Sequence, residues 1–322
     1  MSVVVGVQME FTYQLVASKP EFRVFVLEML QRLGVSEYQL CDKRAVMLEF
    51  AKCFVTPNAD PHFNYGLYHI AGGTYLNGSI TMFFLEQIQK AISRKKRENE
   101  QVGIPFKPST MIVDYFTRLK AKYISNNEFT TISQLYGFEE FIQYEKDRDG
   151  KEIRYLVNGE NIESSVFQAF MGCFECIVDR YVENYHSHMY TSNFVTTIFK
   201  QLEINYQPSH VYDIITLLKE TNDYVKLTKN VQYQIEQIPP TLPYTYVKKD
   251  NKKDFLDIYS AYILTPDGKT ILQQIPIGQL PKSEENLIIM SQRLYDWLKS
   301  EGIRVRSPPT VEELNIDFLI KK

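Results

Sequence analysis

The sequence predicts two consecutive domains, an all-helical one over residues 20–204 and a small α-β-β-β-α one over 205–303. An N-terminal arm (1–19) precedes them and a C-terminal tail (304–322) follows. Three observations carry this. A chain of 322 residues is long enough to bury two cores. Apolar residues recur at helical spacing through the first two-thirds. Near residue 205 that pattern gives way to one helix and then to runs rich in β-branched and aromatic residues.

Taken in order, Val3 to Val16 mixes apolar and polar residues in the manner of a strand or an extended arm. After Lys19-Pro20, EFRVFVLEMLQRLG sets Phe22, Val26, Met29 and Leu30 on one helical face, with Gly34 as a C-cap. A second helix runs from about Asp42 to Phe54 and stops before Pro57. Further helices are expected at 74–97, 109–124, 127–136, 161–185 and 190–203, separated by polar turns. Residues 209–220, HVYDIITLLKET, form one helix, and a stretch with Pro239, Pro240 and Pro243 follows. Strands are expected at Tyr244–Val247, Phe255–Leu264 and Thr270–Ile277, with a TPDG turn between the last two. The final helix, SEENLIIMSQRLYDWLKSEG, opens on Ser283 and buries Leu287, Met290, Leu294 and Leu298. The tail ends in VEELNIDFLI, either a docking segment for a partner or a strap over its own domain.

Composition narrows the function classes. Hydrophobic residues make up 44% of the chain and charged residues 23%, as in an ordinary globular protein. No run approaches the ~18 apolar residues of a membrane span, and MSVVVGVQMEF lacks the basic start and apolar stretch of a secretory signal. A cytoplasmic location is expected, with a nuclear one open and secretion excluded. Cys173 and Cys176 form a single C-x-x-C in a helical context with no second Cys/His pair at zinc spacing, and read as buried helix cysteines. No metal site and no cofactor is expected. The net charge of −3 excludes a chain that is basic throughout, so any nucleic-acid contact falls to local clusters. Two are visible: Arg94, Lys95, Lys96 and Arg97, and Lys248, Lys249, Lys252 and Lys253.

Three stretches, in order, resemble the blocks of ribonuclease III: FAKCFVTPNADPHFNYGLYHIAGGTYLNG (50–78), FTRLKAKYISNNEFTTISQLYGFEEFIQY (116–144) and SSVFQAFMGCFECIVDRY (164–181). With the tail domain, which resembles a double-stranded-RNA-binding domain, the likeness covers about residues 20–300. It implies a helical endonuclease-type domain that dimerises through its signature helix. The family's hydrolysis uses magnesium held by carboxylates, a Glu and an Asp four residues apart in the first block and an Asp and a Glu three apart in the third. The matching positions here are His69, Gly73, Ser165 and Gln168. Imidazole, hydroxyl, amide and a bare glycine supply no negative charge, and imidazole suits softer ions than magnesium. Glu163 lies two residues before Ser165, about 200° around a helix and off the required face. Asp60 and Asp114 have no partner at helical spacing. The resemblance therefore implies a catalytically degenerate member. Gly72 and Gly172 are expected to permit close helix packing, with Arg118 and Asn126 supporting the second block.

For the tail domain the resemblance places RNA contacts in the loop KKDNKK (248–253) and at the start of the last helix, where only Lys282 remains before Glu284 and Glu285. Residues 208–301 hold eleven Lys and Arg against twelve Asp and Glu, a balance that opposes phosphate binding. KKDNKK is thus either an RNA contact or a solvated hairpin tip. Arg94–Arg97 is either a phosphate site or an exposed helix end. The resulting expectation is an inactive RNase III-like protein, a homodimer or heterodimer through the helical domain, acting as a scaffold or regulatory subunit in RNA processing or a ribonucleoprotein. The alternative is a module that sequesters double-stranded RNA, for example a virus-encoded antagonist of RNA silencing. An active endoribonuclease comes last.

Overall fold

The structure is a computed structural model that describes residues 11–316, apart from 157–158, 183–186, 203, 226–231, 238–245, 250–251, 256–257, 265–270, 282 and 304. It divides into two compact units, Met1–Tyr206 with Asn315–Lys322, and Gln207–Leu314.

The first unit is built from α1 (Thr12–Ser18), α2 (Pro20–Arg32), α3 (Lys43–Lys52), α4 (Gly66–Gln101), α5 (Ile112–Tyr123), α6 (Asn126–Leu135), α7 (Ile162–Tyr181) and α8 (Ser187–Gln201). The extended arm expected up to Val16 is corrected over its described part. Residues 12–18 close into a helix with Val16 fully buried, and the Gln14 side chain accepts the Phe11 N–H at 3.1 Å. A strand there would need a partner for its backbone groups, whereas a helix satisfies them locally. Pro20 then starts α2 at the position where its missing N–H costs nothing. In α3, Asp42 caps the Ala45 N–H at 3.0 Å, and Ser125 caps α6 through the Glu128 N–H at 3.3 Å.

Two of these helices decide the architecture. α4 continues without a break for 36 residues, about 54 Å, where the sequence suggested a helix over 74–97 alone. Its Gly72, Gly73 and Gly78 do not interrupt it, because the face that includes Gly72 stays packed along the helix through Leu76, Ile80, Phe83, Phe84 and Ile88. α7 is buried on every side from Ile162 to Glu175, which makes it the central helix of the unit. Around it, Phe50 stacks on Phe170 with centroids 4.5 Å apart, and Phe25 meets Phe138 and Phe141 at 5.1 and 4.9 Å. A second aromatic group, Phe83, Phe84, Tyr123 and Phe199, ties α4, α5 and α8 together.

The second unit contains α9 (Pro208–Val211), α10 (Ile214–Val225), β1 (Gln232–Gln237), β2 (Tyr246–Lys249), β3 (Lys252–Phe255), β4 (Ile258–Leu264), β5 (Ile271–Gln274), β6 (Leu280–Pro281), α11 (Glu284–Ser300) and α12 (Val311–Leu314). The single helix expected at 209–220 is two, because Tyr212 is extended and Asp213 starts a new helix by accepting the Thr216 N–H at 2.8 Å. The expected run of three strands is also corrected. A strand at Gln232–Gln237 comes first, antiparallel to β4 from Gln232↔Leu264 to Gln237↔Tyr259. β5 and the short β6 both pair with β4, giving the order β1-β4-β5. The stretch expected as one strand over Phe255–Leu264 is split between β3 and β4, and β2 pairs with β3 as a separate two-stranded ribbon. The prolines at 239, 240 and 243 and the TPDG turn lie outside the described residues. α11 behaves as expected: Ser283 accepts the Asn286 N–H at 3.1 Å, and Met290, Leu294 and Leu298 are buried while Leu287 is half-buried. It packs with α10 and against β4.

Candidate functional site

α4 and α7 cross with their backbones in contact. A Cβ on Gly72 would lie 1.6 Å from the Gln168 carbonyl oxygen, and one on Gly172 would lie 2.2 Å from that of Tyr68. Only a residue with no side chain fits at either position, as the sequence led us to expect. The crossing brings all four singled-out positions into one place: His69 and Gly73, one turn apart on α4, face Ser165 and Gln168 on α7.

Each has a definite role in the packing. The Gln168 side chain leans over Gly73, its Oε1 being 2.9 Å from where a Gly73 Cβ would sit. A longer side chain at 73 would have to displace that amide. The Gln168 Nε2 donates to Ser164 Oγ at 3.2 Å and reaches Asn126 Oδ1 at 3.5 Å, while Ser164 Oγ donates to the same Asn126 oxygen at 3.1 Å. Asn126 therefore supports α7 directly. Arg118, expected beside it in that role, instead grips Asp114 on its own helix with two contacts of 3.1 Å.

The residue that sequence reasoning missed is Glu160. It lies in the loop before α7, and its Oε1 accepts from Ser165 Oγ at 3.0 Å and stands 3.4 Å from His69 Nε2. That imidazole nitrogen is shielded from solvent and makes no hydrogen bond, so the two groups stand in contact without being bonded. Tyr65 closes the group edge-on to His69, with ring centroids 6.2 Å apart. Burial pushes the Tyr65 phenol up, and the Glu160 charge adds to this, against a smaller opposing hydrogen bond with Ser165. No spacing rule marks a loop carboxylate two residues outside a helix, and only the fold brings Glu160 here.

The other carboxylates are engaged elsewhere. Glu163, buried, accepts from Gln134 Nε2 at 2.8 Å, Tyr144 OH at 3.3 Å and Arg154 Nη1 at 3.3 Å, on the side of α7 expected from its spacing. Asp60 accepts the His62 and Phe63 N–H groups at 2.9 and 3.0 Å. Among the described residues no group of three or more His, Cys, Asp or Glu is placed to hold a metal ion. With Glu160 as its one carboxylate among the described residues, the crossing offers a hard divalent cation a single strong oxygen ligand where such ions take several. Cys173 is fully buried and Cys176 half-buried on α7, and Cys53 Sγ donates to the Ala169 carbonyl at 3.5 Å. Burial pushes the Cys173 thiol up, which leaves it unreactive.

The two basic clusters of the sequence fall on regular elements of the two units. On the last turns of α4, Lys95 pairs with Glu98 at 3.5 Å and Lys96 with Glu100 at 3.8 Å, while Arg97 Nε donates to the Ser93 carbonyl at 3.3 Å. Arg94 and Arg97 join Lys90, not singled out from sequence, along a groove of about 360 Å3 that also contains Glu86. Lys248, Lys249, Lys252 and Lys253 were expected in a loop but belong to strands, paired Lys248↔Lys253 and Lys249↔Lys252 across β2 and β3. Lys282 lies outside the described residues. No helix among the described residues is long and apolar enough to cross a membrane. No family model and no curated protein matches this chain.

Proposed function

We propose that this chain is a catalytically inactive RNase III-like protein acting as a dimeric scaffold or regulatory subunit in RNA processing or a ribonucleoprotein. One observation carries the reading: two helices meet through Gly72 and Gly172, and the four positions where the resemblance calls for metal-binding acids stand together there as His69, Gly73, Ser165 and Gln168. Ser165 is spent on a bond to Glu160, Gln168 on bonds to Ser164 and Asn126, and Gly73 leaves room for the Gln168 amide. Selection for shape without hydrolysis accounts for a crossing kept this close while its acids are absent.

The dimer reading is supported by the outer face of α4. Leu67, Ile70 and Met82 are exposed there, Ile70 to 81%, on the same side as the small Thr74 and Gly78. An apolar helix face of this kind suits pairing with a second RNase III-like domain, its own or that of a related subunit. Sedimentation of the wild type against Ile70→Asp tests it: a dimer that the variant dissociates is expected, and a monomer at all concentrations refutes homodimer formation.

Sequestration of double-stranded RNA, including a viral silencing antagonist, is favoured by a different observation, the ribbon that pairs four lysines between β2 and β3. On this reading α10, the β1-β4-β5 sheet and α11 form a double-stranded-RNA-binding-like domain with the ribbon as an insertion. Labelled duplex RNA incubated with magnesium or manganese separates the readings. Neither cleavage nor a mobility shift is expected of a protein scaffold. A shift that weakens steeply with salt and is lost in Lys248→Glu/Lys253→Glu supports sequestration. Cleavage abolished by a chelator refutes the inactive reading.

A further inference from the structure

Within the helical unit, α2 and the ends of α6 and α8 border a pocket of about 190 Å3. Phe25, Glu28, Met29 and Arg32 line it from α2, and Leu135 and Tyr136 from the end of α6. Met29 is buried, Phe25 half-buried and Leu135 58% exposed, so the apolar lining runs from the core to the surface. Tyr136 is held by three neighbours. Its ring lies 5.9 Å from that of Phe194 and 5.2 Å from the Arg32 guanidinium, and its hydroxyl donates to Gln201 Oε1 at 3.5 Å. Glu28 and Arg32, both exposed, stand one turn apart with the acid first, the order that favours pairing on a helix. Elsewhere such neighbours do pair: Glu49 with Lys52 at 2.7 Å, Glu86 with Lys90 at 3.7 Å and Asp114 with Arg118 at 3.1 Å. Among the described residues Glu28 and Arg32 make no ion pair, with each other or with a third group. Arg32 leans over Tyr136 instead, and two opposite charges are left open beside an apolar pocket.

Size and charge together define what fits. Sites for drug-sized ligands span roughly 300–1,000 Å3, so this smaller pocket suits a molecule the size of one amino acid. Arg32 favours a carboxylate, which its planar fork can grip with two hydrogen bonds. A simple anion would meet the Glu28 charge beside it, and a simple cation would meet Arg32. A molecule carrying both charges and an apolar body satisfies every group in the lining. We propose that this pocket binds a free α-amino acid with an apolar side chain. Its carboxylate sits on Arg32, its ammonium on Glu28, and its side chain against Met29, Phe25 and Leu135. None of the lining residues belongs to α4 or α7, so the site is separate from the helix crossing and from the exposed face of α4. It is independent of the scaffold and RNA readings. The C-terminal residue of a partner polypeptide is the competing occupant, but it would leave Glu28 without a cation.

The test uses the full chain labelled at Met and Leu methyl groups and titrated with L-leucine, N-acetyl-L-leucine and L-leucinamide. L-Leucine should shift the Met29 and Leu135 methyls saturably, while Met47, buried on α3 away from the pocket, stays unmoved. N-Acetyl-L-leucine lacks the ammonium and L-leucinamide the carboxylate, and each should bind roughly tenfold more weakly or worse. Arg32→Gln and Glu28→Gln should weaken L-leucine to a similar degree. Both side chains are exposed, and an unchanged Met47 methyl confirms that the variants fold. Failure of L-leucine to shift Met29 and Leu135 at tens of millimolar would overturn the proposal. So would equal binding of all three compounds, which would show that the charges take no part. N-Acetyl-L-leucine binding as well as L-leucine would also overturn it and assign the pocket to a polypeptide C-terminus.

Discussion

Gly72→Ala adds one methyl group at the tightest point of the molecule, and its cost follows from what that methyl meets. The new carbon would sit 1.6 Å from the Gln168 carbonyl oxygen, 2.5 Å from the Gln168 carbonyl carbon and 2.9 Å from the Gly172 nitrogen. All three are backbone atoms of a helix buried on every side, so no side chain can rotate away. α4 and α7 would have to part by about 2 Å before the contact became ordinary, opening the packing of Leu76 and Ile80 with it. Overpacking of a core costs about 1–3 kcal/mol where side chains can adjust, and a backbone collision belongs at or above the top of that range. Alanine's better helix propensity returns about 1 kcal/mol. The net expectation is a loss of about 2 kcal/mol or more. Gly78→Ala, six residues along the same helix, makes the same chemical change where a Cβ meets nothing within 4 Å. Within one chain only the propensity acts there, and a gain of up to about 1 kcal/mol is expected at concentrations where the protein is a monomer. Urea unfolding followed by far-ultraviolet circular dichroism reads the helical unit, while Trp297, the one tryptophan of the chain, reports on the other unit by fluorescence. Opposite displacements of the helical transition with an unmoved fluorescence transition are expected. A Gly72→Ala protein within 0.5 kcal/mol of wild type, a scatter ordinary for surface changes, would refute the contact and the crossing argued from it.

Further tests address the polar interior and the titration behaviour. Glu163→Ala removes the common acceptor of Gln134, Tyr144 and Arg154, and should lower stability by about 2–3 kcal/mol in the same urea experiment, somewhat below a fully buried pair because Arg154 is half in solvent. Burial pushes the Glu49 carboxyl up, but hydrogen bonds from Lys52 and Tyr68 outweigh this and hold it below its ordinary 4.5. Its contribution is then present above that value and lost as pH falls through the lowered one, so Glu49→Gln should lower stability at neutral pH and converge with the wild type in acid, flattening the acid limb of a stability-versus-pH curve. Glu160→Gln keeps the size of the side chain but removes the charge beside Tyr65. The Tyr65 phenol should then titrate lower, by ultraviolet difference spectra, than in the wild type.

Helical content was legible wherever apolar residues recurred with period 3.6, as in α2, α3, α6 and α11, and where Asp42, Ser125 or Ser283 announced a cap. The glycines at 72, 73 and 78 obscured the continuity of α4, since local propensity opposes a helix that only its packing with α7 explains. β1 escaped notice because QYQIEQ is half glutamine, a composition that gains its strand character from pairing with β4 rather than from its own residues. The site divides in the same way. His69, Gly73, Ser165 and Gln168 were found by alignment of blocks and Glu160 enters by tertiary placement alone, whereas Lys90 stands at helical spacing from Arg94 and Arg97 and was legible without the fold.

A helix buried on all sides has no wet face to fix its rotation, and a purely apolar α7 could turn about its axis at little cost in buried area. Its polar side chains act as keys in separate slots: Glu163 toward Arg154 and Gln134, Ser165 toward Glu160, Gln168 toward Asn126, and Glu175 toward the Thr191 hydroxyl. These bonds point in different directions from one axis and can all be made at one angular setting only. Replacing the set with apolar residues of equal volume should preserve compactness while losing the single rotational state, visible as broadened or doubled methyl resonances along α7.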